Sequence, residues 1–273
     1  MPELPEVETI RRALERLLAG RRIVRVWARP VMMRRPLDAD ALHRHLLDRC
    51  FGTLRRRGKF LLLDVDREGA LLIHLGMSGR LLVIEASADP LPHTHLRLDL
   101  DNGKAVHLVD PRRFGLAVWL PPGAESSDPS LSGLGIEPLT PGLEHSFPPL
   151  AHTRRAPIKA VLLDQSVIAG VGNIYATEAL WRAGIRPSRP ACSVSLRRLR
   201  ALAGAVQDVL REAIELGGTT VRDYTAPQGD LGAFAMRLEA YGRAGASCPR
   251  CQRPLSRTII AGRSTVWCRG CQR

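Results

Sequence analysis

The 273-residue sequence has no apolar run near the roughly 20 residues that a membrane-spanning helix needs, so no such span is expected. Its first residues, Met1-Pro2-Glu3-Leu4-Pro5-Glu6, carry acid where a secretory signal would carry an apolar core. The expected location is therefore the cytoplasm, or the nucleoid within it. Aromatic residues make up only 4%, which argues against binding by stacking on many bases. Lysine is almost missing: Lys59, Lys104 and Lys159 are the only three among 40 basic residues. An arginine-favouring codon bias explains most of that shortage. Under such a bias a retained lysine hints that a compact, titratable amine is wanted. From Arg243 to the last residue there is no acidic side chain at all. No internal repeat is present.

What is there describes a globular, basic protein. Apolar residues at 45% and charged residues at 25% suit a folded chain of one large or two ordinary domains. The formal charge of +13 points to a polyanion as partner, and nucleic acid is the commonest. An anionic membrane is the competitor, but no long basic amphipathic anchor is evident.

The pattern of residues divides the chain. Pro5 to Gly20 reads as a helix, with Val7, Ile10, Leu14, Leu17 and Leu18 at helical spacing and Glu6 and Glu8 at its positive end. From Ile23 to Leu120 short strands dominate. The clearest pair is Leu96 to Leu100 and Ala105 to Val109 around Asn102-Gly103, a hairpin signal. A short helix is expected over Ala39 to Leu47. Residues 121–150, rich in Pro, Gly and Ser, read as a linker between domains. Residues 157–216 read as helices, the longest starting near Ser195 and stopped by Gly217-Gly218. The expected organisation is a domain over 1–120, a linker over 121–150, a helical domain over 151–242 and a small module over 243–273.

That last module carries Cys248-Pro249-Arg250-Cys251 and Cys268-Arg269-Gly270-Cys271. Two CxxC knuckles at this separation suit a tetrahedral zinc ion held by four thiolates. With four protein ligands no coordination position is open, so the ion would be structural. Two disulfides or a redox pair is the alternative. Cys50 and Cys192 are left over and read as inert thiols. Arg253, Arg257 and Arg263 between the knuckles suit a phosphate grip, and Arg263 lies near the tip of an expected hairpin.

The other chemical feature is the start of the chain. Removal of Met1 would leave Pro2 with a free secondary amine. An α-amine has a pKa of about 7.7–8.0, so a useful fraction is neutral near pH 7. Such an amine can attack a sugar carbon, expel the base and form an iminium. Glu3 beside it can move protons, and Glu6 can tune both. Read alone, Pro and Glu here equally suit a plain helix N-terminus.

The string Pro2-Glu3-Leu4-Pro5-Glu6-Val7-Glu8-Thr9 resembles the start of the bacterial formamidopyrimidine-DNA glycosylases. Further matches follow in order: Arg57-Gly58-Lys59-Phe60, His74 to Gly79, Asp110 to Gly115, Ile158-Lys159, Gly170 to Tyr175, Gly217 to Thr220, Tyr241-Gly242-Arg243, and Gly262 to Thr265. The resemblance implies an α+β fold: an N-terminal β-sandwich with a leading helix, a helix–two-turn–helix domain and a C-terminal four-cysteine zinc-finger β-hairpin. It implies a monomeric repair enzyme for oxidised purines in double-stranded DNA, with Pro2 as nucleophile and Glu3 as acid. Lys59 would transfer protons in elimination, and Arg263 would serve the last elimination and bind phosphate. Met77, Arg112 and Phe114 would fill the gap left by the extruded base. His93, Arg113, Arg155, Lys159, Asn173 and Tyr241 would bind or support the DNA backbone. Thr219 to Phe234 would form a lid, with Gly229 and Gly232 making it mobile. An endonuclease VIII-like preference for oxidised pyrimidines is the near alternative. A zinc-ribbon binding protein without catalysis is the distant one.

Overall fold

Helix α1 (Leu4–Leu18) begins because its first residues satisfy one another. Glu3 is the N-cap; its carboxylate accepts the N–H of Glu6, and the Glu6 carboxylate accepts the N–H of Glu3 at 2.9 Å. This reciprocal cap stabilises two otherwise unpaired donors. Val7, Ile10, Leu14 and Leu18 form one buried stripe, and Gly20 ends the run with a φ of +74°. The structure is a computed structural model that describes residues 2–219 and 233–273. Most of the expected lid, including Gly229 and Gly232, lies outside the described residues. The chain divides into two units, one of residues 2–132 with 217–219, the other of residues 133–216 with 233–273.

The first unit contains the expected β-sandwich. Strand β1 (Ile23–Ala28) is followed by a small hairpin of β2 (Val31–Met32) and β3 (Pro36–Leu37) and by helix α2 (Ala39–Leu46). Asp38 caps α2 by accepting the N–H of Ala41 at 2.9 Å. Then come β4 (Phe51–Arg57), β5 (Phe60–Val65), β6 (Gly69–His74), β7 (Arg80–Glu85), β8 (Thr94–Leu100), β9 (Lys104–Val109) and β10 (Leu116–Leu120). They form two antiparallel four-stranded sheets, ordered β1-β8-β9-β7 and β10-β6-β5-β4. Alternation decides which side chains enter the core: Leu96, Leu98 and Leu100 of β8 are buried in it with Leu61, Leu63, Leu71 and Ile73. The stripe of α1 joins the same core. Two turns are tight. Asn102-Gly103 joins β8 to β9, and Gly58-Lys59 joins β4 to β5, with Gly58 at φ +57°.

The second unit holds α3 (Leu143–His152), α4 (Ile158–Leu163), α5 (Asn173–Arg182) and α6 (Leu196–Glu215), then the hairpin β11 (Ser256–Ile260) and β12 (Arg263–Trp267). Here the expected boundaries shift. The division falls at residue 132, and the stretch expected as linker contains α3. Leu143, Phe147 and Ala151 are buried in it, and their burial outweighs Pro148 and Pro149 inside the helix. The cysteine module does not stand apart from the helices. Trp181 of α5 shares a core with Ala240, Leu255, Val266, Cys248 and Cys268. No helix among the described residues is long and apolar enough to cross a membrane.

Candidate functional site

In the first unit, one carboxylate, Glu3, sits immediately after Pro2 and a second, Glu6, three residues further on. Glu3 and Glu6 are buried, and Pro2 is half-buried. Glu6 is fully engaged: besides the N–H of Glu3 it accepts the N–H and hydroxyl of Thr219, at 3.0 and 2.9 Å. Gly218 makes this possible. It has φ +79°, and a Cβ there would lie 2.9 Å from a Glu6 oxygen. The start of α1 is thereby bound to residues 218–219, and Glu6 acts on Glu3 by fixing its backbone.

Lys59 occupies the β4–β5 turn and is buried. Its charge reaches His74, whose pKa is lowered to about 3, first by burial and then by Arg34 and Lys59. Neutral His74 accepts the N–H of Gly76 through Nδ1 at 2.9 Å, and its ring lies 4.7 Å from that of Phe60. Arg56, beside the turn, is held by Glu8 at 3.1 Å and donates to the carbonyl of Gly58 at 3.1 Å.

Met77, Arg112 and Phe114 come from two turns. Met77 is 51% exposed and Phe114 45% exposed, so neither is a core residue. The Arg112 guanidinium lies 4.5 Å over the Phe114 ring. The turns meet backbone to backbone: a Cβ on Gly76, which has φ +61°, would stand 2.5 Å from the carbonyl carbon of Phe114. The fully buried Asp110 joins them. Its carboxylate accepts the Ser78 hydroxyl at 2.6 Å, the Gly115 N–H at 2.8 Å and the Arg112 N–H at 3.3 Å. Its carbonyl oxygen meets Nε2 of His95 at 2.9 Å. Arg113 and His93 are exposed beside these turns, both at positive φ.

In the second unit the expected backbone-binding residues divide into two kinds. Arg155 and Arg263 are exposed, Arg263 at the tip of the hairpin. Lys159 is completely buried. Its ammonium donates to Thr177 Oγ1 at 3.0 Å, Thr265 Oγ1 at 2.8 Å and the Ser264 carbonyl at 3.3 Å. Asn173, the first residue of α5, donates from Nδ2 to the Ser264 carbonyl at 3.1 Å; its Oδ1 has no partner among the described residues. Tyr241 is half-buried, and its N–H donates to Glu178 at 2.7 Å. Glu178, in the middle of α5, also accepts the N–H groups of Glu239 and Ala240, each at 3.0 Å. Burial raises its pKa against those three hydrogen bonds.

The four cysteines bring their sulfurs within 4.8 Å of one another, with Cys248–Cys271 at 3.9 Å and Cys251–Cys268 at 3.4 Å. All are free thiols, so the disulfide alternative fails. A tetrahedral ion with metal–sulfur bonds of about 2.3 Å needs sulfur separations of about 3.8 Å, so this donor set fits one. Arg250, inside the first knuckle, lies 4.1 Å over the Trp181 ring and donates to the carbonyls of Trp181 and Arg182 at 3.0 and 3.1 Å.

Sequence reasoning missed Asp110, Ser78, Glu178 and Arg250 as site residues. Glu178 did leave a signal, as one carboxylate within a run, from Tyr175 to Trp181, that is otherwise buried and uncharged. The other three sat inside strings already singled out, with nothing to separate them from their exposed neighbours.

Two family models match the chain, the formamidopyrimidine-DNA glycosylase N-terminal domain over residues 1–117 and the formamidopyrimidine-DNA glycosylase H2TH domain over residues 134–225. Fold and matches together define a DNA glycosylase with an H2TH domain and a four-cysteine finger. The chain belongs to the formamidopyrimidine-DNA glycosylase family. It is 46% identical to the formamidopyrimidine-DNA glycosylase of Xanthomonas euvesicatoria pv. vesicatoria over 274 residues, covering 100% of both chains. Its fold is similar to that of the MutM (Fpg) protein of Thermus thermophilus, with a TM-score of 0.86 and 41% identity over 99% of this chain and 98% of that one. A Lactococcus lactis Fpg mutant in complex with Fapy-dG-containing DNA matches with a TM-score of 0.90 and 31% identity, covering 100% of both chains.

Proposed function

We propose that this chain removes oxidised purines from double-stranded DNA and then cuts the strand, through a covalent iminium at Pro2. Once Met1 is removed, the Pro2 nitrogen attacks C1′ of the damaged nucleotide, and the bond from C1′ to the base breaks. Glu3 gives a proton to O4′ as the sugar ring opens, leaving the iminium. Loss of a C2′ proton expels the 3′-phosphate, and loss of a C4′ proton expels the 5′-phosphate. Lys59 moves protons in these eliminations, and Arg263 holds the departing phosphate.

The observation that carries this reading is the reciprocal cap at the start of α1. It fixes the buried Glu3, the residue after Pro2, through the buried Glu6, and Glu6 is immobilised by Thr219. A protein that only bound DNA would need neither. Extrusion of the base requires a plug, and the exposed Met77, Phe114 and Arg112 suit that task. Arg113, His93, Arg155 and Asn173 contact backbone phosphates, while Lys159 and Tyr241 support the second unit from within, Lys159 by holding Thr177 and Thr265. Zinc is the ion for the four thiolates, and with no open position it supplies structure alone. The protein works as a monomer at the nucleoid.

The test is borohydride trapping on a duplex holding one 8-oxoguanine opposite cytosine. A covalent band mapping to Pro2, absent from Pro2→Gly, is the expected result. No band from a metal-loaded protein that still binds the duplex would overturn the reading. Thymine glycol cut faster than 8-oxoguanine would overturn the purine preference.

A further inference from the structure

At the base of the finger hairpin lies a cleft of about 910 Å³, formed by the loop after α5 and the last residues of the chain. Four arginines, Arg186, Arg189, Arg269 and Arg273, are among its lining residues, and no aspartate or glutamate among the described residues is. Arg186 lies 5.0 Å over the ring of Trp267. Among the described residues, Arg189 donates to the hydroxyl and the carbonyl of Ser193. The main-chain oxygen of Arg273 is occupied by the Arg198 side chain and the Arg186 N–H. Burial, and then the charges of Arg189 and Arg197, hold the neighbouring Arg198 below its ordinary pKa. Like charges gathered in one cleft favour an anionic ligand.

This cleft is distinct from the hairpin tip. Arg263, Thr265 and Trp267 alternate along β12 and share one face. Four strand residues span about 13 Å, so Trp267 stands that far from Arg263. We propose that the cleft binds the phosphodiester backbone of DNA outside the segment held at the lesion. Planar guanidinium forks match phosphate oxygens. The only apolar residues in the lining are Trp267 and Pro190, and Arg186 covers one face of the Trp267 ring. An acidic peptide would need a pocket for an apolar anchor, which is lacking here. Phosphate contacts need no such pocket and are indifferent to sequence.

The test uses the full-length, metal-loaded protein with the charge-reversed pair Arg186→Glu and Arg269→Glu. A short lesion-analogue duplex of about one helical turn fills the lesion site, and a second, fluorescent, undamaged duplex is titrated in at several salt concentrations. The pair should weaken binding of the second duplex at least about tenfold and reduce the salt slope by about 2, near 0.9 for each phosphate no longer neutralised. Cutting of the short lesion duplex should not change, which also reports an intact fold; if the pair loses its metal, Arg269→Ala alone replaces it. Where the effect appears only on a lesion duplex of about three turns in a one-to-one complex, the backbone is the flank of the same duplex. Where a second duplex joins the complex, it is a separate segment. Either result supports the proposal. Unchanged binding in both arms would overturn it, and so would a poly-glutamate peptide that binds the wild-type cleft when DNA does not.

Discussion

The turns that carry Met77, Arg112 and Phe114 and the finger mounted on α5 solve one problem in opposite ways. In the turns, the side chains facing outward are not the attachment, because a single buried carboxylate, Asp110, ties the Ser78 hydroxyl of one turn to the Arg112 and Gly115 N–H groups of the other. At the finger, two residues expected to touch DNA are themselves the attachment, since Lys159 and Asn173 hold Ser264 and Thr265; Glu178 holds the segment at Tyr241, and Arg250 holds the end of α5. A hairpin with so little core needs polar side chains to fix it, whereas turns rooted in a sandwich do not. The same residue type can therefore read a ligand in one place and brace a scaffold in the other.

The strongest challenge to this contrast is metal removal. Chelation, or Cys268→Ser, should abolish most DNA binding, because structural zinc contributes folding energy directly. The sandwich should keep its cooperative melting, seen by circular dichroism; its collapse would mean that the finger supports more than itself. Next comes Asp110→Asn, which sets an amide NH2 against groups that donate. Excision of 8-oxoguanine should fall about 10–100-fold, the scale of a misplacement near 1 Å. Cleavage of a preformed abasic site should fall much less, and equal losses would show that Asp110 does not act through the turns of Met77, Arg112 and Phe114.

Glu178→Gln should cost about 1–3 kcal/mol, read from hydrogen exchange at the amides of residues 239–241. Because burial raises the folded pKa of Glu178, the stability tied to it is full below the ordinary carboxylate value and is lost as pH rises through the raised one. The deficit of the Gln variant should therefore shrink across that window. His74 works in the other direction. With a folded pKa lowered to about 3, its contribution is full above the ordinary value of 6.5 and is lost as pH falls. Acid should remove about 2 kcal/mol by pH 5 through this group, and His74→Gln should flatten that limb of the denaturation curve. The smallest effect belongs to Lys104, whose exposed pair with Glu85 is worth under about 0.5 kcal/mol; a larger loss in Lys104→Ala would give the third lysine a role still to be found.

The elements that repeat along the chain are legible in the residues alone. The α1 stripe, the Asn102-Gly103 hairpin, the strand-rich first domain and the four cysteines all follow from local periodicity or spacing. What escaped was long-range or overridden. Helix α3 hid behind Pro148 and Pro149 because its stability comes from burying Phe147. Asp110 and Glu178 hid because a carboxylate that accepts backbone N–H groups looks in sequence like any other charged residue. Lys159 was legible as an unusual amine, but its burial against Thr177 and Thr265 depends on a hairpin more than a hundred residues later.

Helix α5 engages the finger and the residues leading into it at its first residue, its middle and its last carbonyls, from Asn173 through Glu178 to Trp181 and Arg182. One residue added inside it would rotate everything beyond by about 100° and advance it by about 1.5 Å, so the attachments on either side of the insertion could not all mate. Over descent, α5 should be frozen in length while loops around it lengthen and shrink, and a finger transplanted from a relative would need its matching helix to travel with it.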